Sequence, residues 1–306
     1  MNDRIARWAI ESIYGPHVKV GRIEVEKRIN STRLRVAPTD DNLAALFVKR
    51  TQPGYQQGHL EPGVKHLPSI ASENQNRFRA SLSDPIRAPK SLLSDDVRGL
   101  LVTEYIDGRN LKSVMAKSVR PKTFDPAHFM KLAGKALASW HAMSSTLAPT
   151  IAGASLPSSD SRVASFLDFS VWNILISREE QCVYIIDFPG SKILARRHRD
   201  LATFLHSLLV IKLHPMVMVN PRPWWSWKEA YSTFLASYLE QEGLELTSAD
   251  YLLLQEELRN LVHRELETYS RLNGGLRRAM EASWYGRIVS HPALRSESLA
   301  SMLLGN

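Results

Sequence analysis

Apolar residues at spacings of three and four over residues 5–13 predict a short amphipathic helix near the start of the chain. Over residues 21–50 the period falls to two. Arg22-Ile23-Glu24-Val25-Glu26 alternates, Asn30-Ser31-Thr32 has turn chemistry, and Leu34-Arg35-Val36 resumes the alternation. Pro38-Thr39-Asp40-Asp41-Asn42 marks a second turn before Leu46-Phe47-Val48-Lys49, so this region predicts a three-stranded antiparallel meander. Residues 52–68, with Gly54, Gly58, Gly63 and three prolines, read as a loop. A helical pattern returns around residues 72–78, two apolar strand candidates follow and end in Leu100 to Ile106, and Asp107-Gly108 breaks the run.

Beyond that break the pattern is helical. Phe129, Met130, Leu132, Ala133, Ala136, Leu137, Trp140 and His141 place one continuous stripe on a core-facing helix. Residues 144–160, rich in Ser, Ala and Pro, read as a flexible connection, and helical patterns resume at 201–210, 230–239 and 251–269. A β-rich first third followed by a helix-rich remainder predicts an α+β, bilobal chain rather than an alternating parallel sheet. The expected lobes are residues 1–106, a small antiparallel β-sheet lobe, and residues 107–306, a larger and mainly helical one.

Composition is that of a globular chain: 306 residues, 44% hydrophobic and 23% charged, enough to bury a core in each lobe. The single cysteine, Cys182, excludes an internal disulfide framework and a cysteine-based zinc site, and points to a reducing compartment. No signal-like start and no run of about 18 apolar residues is found, so a cytoplasmic protein without a membrane span is expected. The net charge of +8 fits either general solvation or contact with an anion, whether a nucleotide, a phosphorylated sugar, nucleic acid or a membrane surface. Basic residues gather at Lys192, Arg196, Arg197, His198 and Arg199, whereas residues 240–267 are rich in carboxylates.

The chemistry concentrates in Asp168-Phe169-Ser170-Val171-Trp172-Asn173 and, behind the apolar run Val183-Tyr184-Ile185-Ile186, in Asp187. A carboxylate, an amide five positions later and a second carboxylate after a strand are what phosphoryl transfer requires. One oxygen base serves the attacking hydroxyl, and two hard oxygens serve Mg²⁺. Each residue also has a structural alternative: Asp168 as a turn cap, Asn173 as a left-handed turn residue, Asp187 as an N-cap. Their joint occurrence favours the chemical assignment, with Asp168 as base and Asn173 and Asp187 as metal ligands.

Taken in order, Val48-Lys49, Leu101-Val102-Thr103-Glu104-Tyr105-Ile106-Asp107-Gly108, Trp140-His141-Ala142, Asp168 to Asn173, Ile186-Asp187-Phe188 and Asp200-Leu201-Ala202 resemble the motif succession of one group of enzymes. That group is the aminoglycoside phosphotransferase and choline kinase group of the protein-kinase-like superfamily. The resemblance implies a kinase-like fold and an ATP- and Mg²⁺-dependent phosphotransferase acting on a hydroxyl of a small molecule or glycoconjugate. It implies that Lys49 reaches the α- and β-phosphates of ATP, that Glu73 on the next helix pairs with Lys49, and that the backbone of Glu104, Tyr105 and Ile106 meets the adenine edge. Asp200 is expected to be structural.

Two departures from the pattern stand out. Phe166-Leu167 precede Asp168 where the group has His-Gly, and no glycine-rich phosphate loop lies between the first two strands. These motivate an alternative, a catalytically inactive kinase-like binding or scaffold protein, against which stands the retention of Lys49, Asp168, Asn173 and Asp187 together. No Ala-Pro-Glu element follows Asp187, which favours a small acceptor over a protein. A basic protein repels polycations, so the cluster around Arg197 points to an anionic sugar as acceptor. Nucleic-acid binding, suggested by the pI near 9.6 and by Trp224-Trp225-Ser226-Trp227-Lys228 beside Arg222, is disfavoured, since tryptophans at this density are more often core or interface residues and no recognised nucleic-acid motif accompanies them.

Overall fold

The structure, a computed structural model, describes residues 1–27, 31–51, 66–116, 124–145, 162–177, 182–213 and 225–272. Of the segments read as loops, residues 52–65 and 146–160 lie outside the described residues, as do Asn30, Arg222 and Trp224, while Pro68 and residues 144–145 belong to helices. In chain order the elements begin with α1 (Asn2–Tyr14), β1 (Val20–Lys27), β2 (Ser31–Pro38), β3 (Leu46–Thr51), α2 (Pro68–Ser81), β4 (Ile86–Arg87), β5 (Ser91–Asp95) and β6 (Leu100–Glu104). Next come β7 (Gly108–Asn110), α3 (Leu111–Met115), α4 (Pro126–Ser145), β8 (Arg162–Ala164), a 3₁₀ turn (Val171–Asn173), β9 (Ile174–Ser177), β10 (Val183–Ile185) and β11 (Leu194–Arg196). The helices α5 (Arg197–Leu213), α6 (Trp227–Glu242) and α7 (Ser248–Leu272) follow.

The chain divides into two compact units. The first comprises Met1–Gly108 with Ser177–Lys192, and the second Arg109–Ile176 with the chain from Ile193 onward. This differs from the expected lobes chiefly in residues 177–192, which belong with the first unit. Within the first unit β10 runs parallel to β4, matching Val183 with Ile86 and Tyr184 with Arg87.

In the first unit a five-stranded antiparallel sheet has the order β1-β2-β3-β6-β5. The alternation read in the sequence puts Leu34, Val36, Leu46, Val48, Leu100 and Val102 on one face, all buried against Ala6, Ala9 and Ile10 of α1. Each large apolar side chain buried this way contributes about 1.5–3 kcal/mol. The opposite set, Arg33 and Arg35 of β2 with Phe47 and Lys49 of β3, shares the other face. The register matches Arg33 with Lys49 and Arg35 with Phe47.

Helix α2 begins with Pro68 in its first turn, where the missing N–H costs nothing. It anchors the segment after β10. Phe78 packs on Phe188 with ring centroids 5.4 Å apart, Asn74 Nδ2 donates to the Pro189 carbonyl at 2.8 Å, and Leu67 N donates to the Gly190 carbonyl at 2.8 Å. Gly190 has no room for a side chain, because a Cβ there would lie 2.7 Å from the Leu67 carbonyl oxygen and against the His66 ring.

In the second unit the predicted stripe on α4 is buried, from Phe129 through His141. Helix α4 meets α6 closely at Gly134, where a Cβ would collide with the Phe234 carbonyl oxygen and stand 3.0 Å from Tyr238 N. Ser237 Oγ donates to the Lys131 carbonyl at 3.1 Å across the same contact. Helix α5 is buried continuously from His198 to Ile211, which explains why it shows no amphipathic stripe. Helix α6 is capped by Ser226, whose side chain accepts from Glu229 N, and ends in left-handed Gly243. Trp225 and Trp227 are buried, and Trp225 Nε1 donates to the Met115 carbonyl at 2.9 Å. They are core residues and offer no stacking surface for bases.

Candidate functional site

The residues singled out in the sequence fall into two groups, one in each unit. In the first unit β3 delivers Lys49 and the segment after β10 delivers Asp187. Lys49 Nζ donates to Asp187 Oδ1, and Arg33 Nη2 donates to Asp187 Oδ2 at 3.1 Å. Both cations are largely withdrawn from solvent, Lys49 with 11% and Arg33 with 24% of its side chain exposed, so screening by water is weak. Burial acts to raise the Asp187 carboxyl, but Lys49 and Arg33, aided by His66, overcome it and hold the group at about 2. His66 itself is lowered to about 4, by burial first and then by Lys49. At neutral pH the cluster is a carboxylate, two cations and a neutral imidazole. Asp187 adopts φ 63°, a left-handed backbone that aspartate tolerates better than most residues.

Glu73 does not join this group. It pairs with Arg77 one helical turn away at 3.1 Å and with Lys192 at 3.4 Å, and all three side chains are substantially exposed. The expected Lys49–Glu73 pair is replaced by Lys49–Asp187, because Asp187 occupies the buried position beside Nζ and Glu73 has cations nearer to hand. At the end of β6 the expected backbone contacts narrow. Glu104 N donates to the Lys90 carbonyl and Tyr105 N to the Ala45 carbonyl, each at 3.0 Å. Ile106 N–H makes no hydrogen bond among the described residues, which leaves it as the donor available to a ligand. The Glu104 side chain lies 3.8 Å from Arg79, and the Tyr105 ring carries the Arg35 guanidinium 4.4 Å above its centre.

In the second unit the loop between β8 and the 3₁₀ turn holds Asp168. From Ser165 to Ser170 every residue is buried except Asp168, which keeps partial exposure. Asn173 Nδ2 donates both to the Asp168 carbonyl at 2.9 Å and to its Oδ2 at 3.0 Å. The amide nitrogen is thereby committed, which leaves Oδ1 of Asn173 as the hard oxygen available to a cation.

The support for this loop comes from Asp200, fully buried in the first turn of α5. Its Oδ1 accepts from Ser165 Oγ at 2.8 Å and from Leu167 N at 3.0 Å, and its Oδ2 accepts from Phe166 N at 2.8 Å. His141 Nε2 lies 3.0 Å from the same Oδ2, and His141 Nδ1 lies 2.8 Å from the Tyr238 hydroxyl. A carboxylate taking several charge-assisted bonds holds the backbone far more firmly than neutral groups do. Phe166 and Leu167, read as the loss of a supporting imidazole, therefore leave the loop anchored through their main-chain N–H groups. The Phe166 ring also meets Trp140 and Phe169 edge-on at 5.2 and 5.3 Å.

Sequence reasoning missed Arg33 and His66 at Asp187. Arg33 had a signal, since it shares the period-two face of Lys49, but the alternation was read for its apolar partners. His66 borders a glycine- and proline-rich segment that gives no hint of where it folds back.

Each group offers a hard oxygen, the ionised carboxylate of Asp187 in the first unit and the amide oxygen of Asn173 in the second. Among the described residues no cluster of three or more His, Cys, Asp or Glu side chains is placed to hold a metal by protein ligands alone.

No protein-family model matches the sequence, and no curated protein matches it either. Solved structures do match in fold. An ethanolamine kinase of Plasmodium vivax superposes with a TM-score of 0.53 at 13% identity, over 95% of this chain and 88% of that one. A macrolide 2'-phosphotransferase of Brachybacterium faecium gives 0.54 at 9% identity, over 92% and 97%. A glucosamine kinase gives 0.54 at 12% identity, over 95% and 98%. At these identities the likeness establishes the fold: an α+β, bilobal, protein-kinase-like architecture, in agreement with the resemblance carried by the motifs.

Proposed function

We propose that the chain is a Mg²⁺-dependent phosphotransferase that moves the terminal phosphoryl group of ATP to a hydroxyl of a small molecule or glycoconjugate. The observation that carries the reading is Asp187, kept ionised at about 2 against Lys49 in a chain of kinase-like fold. A buried carboxylate with a lysine on one oxygen is the pairing that donor phosphates and a hard cation require. When bound, Mg-ATP supplies the transferable group and the cation that offsets its charge. Asp187 and the Oδ1 of Asn173 would hold the metal, Lys49 would hold donor phosphate oxygens, and Ile106 N–H would meet the edge of the base. Asp168 orients the acceptor hydroxyl and takes its proton as the new oxygen–phosphorus bond forms and the bond to the ADP oxygen breaks.

The basic cluster after β10 gives less support to an anionic acceptor than its sequence suggests. Lys192 is paired with Glu73, Arg197 with Glu242 at 3.2 Å, and His198 with Asp250 at 3.1 Å. The same bonds occupy Glu242 and Asp250 of the acidic stretch, so the two clusters offset one another. An acceptor screen must therefore span both charge classes. Among the described residues no helix is long and apolar enough to cross a membrane.

The test is transfer of radiolabelled phosphate from Mg-ATP to a panel of sugars, glycolipids, aminoglycosides and choline-like alcohols. Wild type is expected to label at least one class. Asp168→Asn is expected to keep Mg-ATP binding and lose transfer by about 10²- to 10⁴-fold, as removal of a general base does. Asp187→Ala is expected to lose Mg²⁺-dependent nucleotide binding. A wild-type protein whose melting temperature does not move with Mg-ATP would overturn the assignment.

A further inference from the structure

We propose that Arg33 is a second ligand for the anionic phosphate chain of the nucleotide, a contact made from strand β2 itself where the sequence provides no glycine-rich phosphate loop. The inference rests on the phosphotransferase reading and adds to it a residue that no motif marks.

Arg33 and Lys49 are matched directly across paired antiparallel strands, so their side chains leave the sheet on the same face. Both reach Asp187, and they take different oxygens of it. One carboxylate balances one of the two cations. His66 Nδ1 accepts from Gly190 N at 3.1 Å and so carries no proton there; Asp96 is bound by Ser69 N and Oγ, and Glu26, matched with Arg33 on β1, is exposed to solvent. Among the side chains in direct contact, two cations therefore face one carboxylate, with 11% of the Lys49, 16% of the Asp187 and 24% of the Arg33 side chain exposed. Arg33 also holds a donor in reserve. Its Nε is buried and has no hydrogen-bond partner among the described residues, while Nη2 is spent on Asp187.

A buried unsatisfied donor costs about 1–3 kcal/mol, a standing incentive to bind an acceptor. A guanidinium presents its N–H groups in a planar fork that matches two oxygens of one phosphate, which an ammonium cannot do. A divalent cation held by Asp187 would compete with Lys49 and Arg33 for its carboxylate oxygens, and the phosphate chain would then be an acceptor for the freed N–H groups. Arg35 does not share this role. Its Nε is likewise buried without a hydrogen-bond partner among the described residues, but its guanidinium lies over the Tyr105 ring and donates to Glu24 Oε1 at 3.4 Å, whereas that of Arg33 is on Asp187.

A purely structural Arg33, serving only as counter-ion to Asp187, predicts a different pattern. The experiment is calorimetric binding of ATP, inorganic tripolyphosphate and adenosine, each with Mg²⁺, to wild type, Arg33→Met and Arg33→Lys, after thermal melting shows which variants fold. For Arg33→Met the expected result is an affinity for ATP and tripolyphosphate lower by about 10- to 100-fold, the loss of charge-assisted bonds. Adenosine affinity stays unchanged. Arg33→Lys, which keeps the counter-charge to Asp187, is expected to fall between the two for ATP and to equal wild type for adenosine. Lysine matching wild type for ATP, methionine leaving ATP affinity intact, or adenosine weakening as much as ATP would each overturn the assignment of Arg33. A wild type that binds neither ATP nor tripolyphosphate would overturn the phosphotransferase reading as well, so the two failures are distinguishable.

Discussion

Replacing Asp200 with asparagine is the most demanding test of how the Asp168 loop is held. The carboxylate accepts from Ser165 Oγ and Leu167 N on one oxygen and from Phe166 N on the other, beside His141 Nε2. An amide keeps one oxygen and turns the other position into a donor. With the oxygen toward Leu167 and Ser165, the new N–H group faces Phe166 N–H and His141. The imidazole can adapt by carrying its proton on Nδ1, toward Tyr238, and offering a bare Nε2. Phe166 N–H cannot adapt, and a buried backbone donor left unpaired costs about 1–3 kcal/mol. The bond to Leu167 N survives but loses its charge assistance, about 1 kcal/mol more. The expected loss is about 2–4 kcal/mol, a fall in Tm on the order of 5–15 °C for a unit of this size. Urea and thermal unfolding followed by tryptophan fluorescence measure it, since Trp140 packs on Phe166. Turnover should fall at least about tenfold while Mg-ATP binding is retained, because a slack Leu167 lets Asp168 drift from its productive position. A variant within about 0.5 kcal/mol of wild type, or one with unchanged turnover, would refute the argument that Asp200 holds the loop.

Burial lowers the His198 pKa from 6.5 despite Asp250, and the Asp250 carboxyl is lowered against its burial by bonds from Thr247 and by His198. As pH falls below about 6.5 the unfolded chain takes up a proton at residue 198 before the folded one does, so stability declines; below about 3.8 Asp250 adds a second decline. Comparing wild type with His198→Gln by urea unfolding from pH 7.5 to 5 should show the upper decline shrink, and parallel curves would refute it. Gly134→Ala should destabilise by about 1–3 kcal/mol through collision with the Phe234 carbonyl, read as a drop in Tm, and an unchanged Tm would show that α4 and α6 separate easily. Glu73→Gln should leave Mg-ATP affinity within about twofold of wild type, because its partners are exposed and such pairs contribute little; a tenfold loss would restore Glu73 as a support for Lys49.

Strands β1 to β3, helix α4 and the buried face beneath α1 were legible because burial imposes a period of two or of three to four on neighbouring positions. The carboxylate spacing was legible for a related reason: Asp168 and Asn173 sit five residues apart in one loop and hydrogen-bond to each other. What the sequence concealed is long in range. Asp187 meets Lys49 across 138 positions and Arg33 across 154, and nothing local selects those partners over Glu73. The anchoring of Phe166 and Leu167 was hidden differently. It acts through main-chain N–H groups, which carry no residue identity, so the absence of His-Gly looked like a loss of support. The hinge had the same difficulty, and only the folded chain distinguishes Ile106 N–H from the committed groups of Glu104 and Tyr105.

Backbone strain supplies a line of argument independent of residue spacing. Among the described residues, the non-glycine positions with positive φ are Leu167, at 71°, and Asp187, at 63°. For leucine, which has no side-chain oxygen to satisfy its own backbone, this region costs about 1–2 kcal/mol. Leu167 stays there because its N–H is held by Asp200 and Ser165 Oγ and its side chain is buried. The turn leaves Asp168 partly exposed between two buried neighbours. A chain whose loop served only to connect β8 to β9 would gain stability from glycine or asparagine at 167. Strain of this kind persists where surrounding structure over-determines it and concentrates where side chains must be aimed. It falls here on one of the two carboxylates chosen from the spacing of side-chain chemistry and on the residue before the other. That coincidence favours an active phosphotransferase over a scaffold, for which an aimed Asp168 and a strained, doubly paired Asp187 have no use.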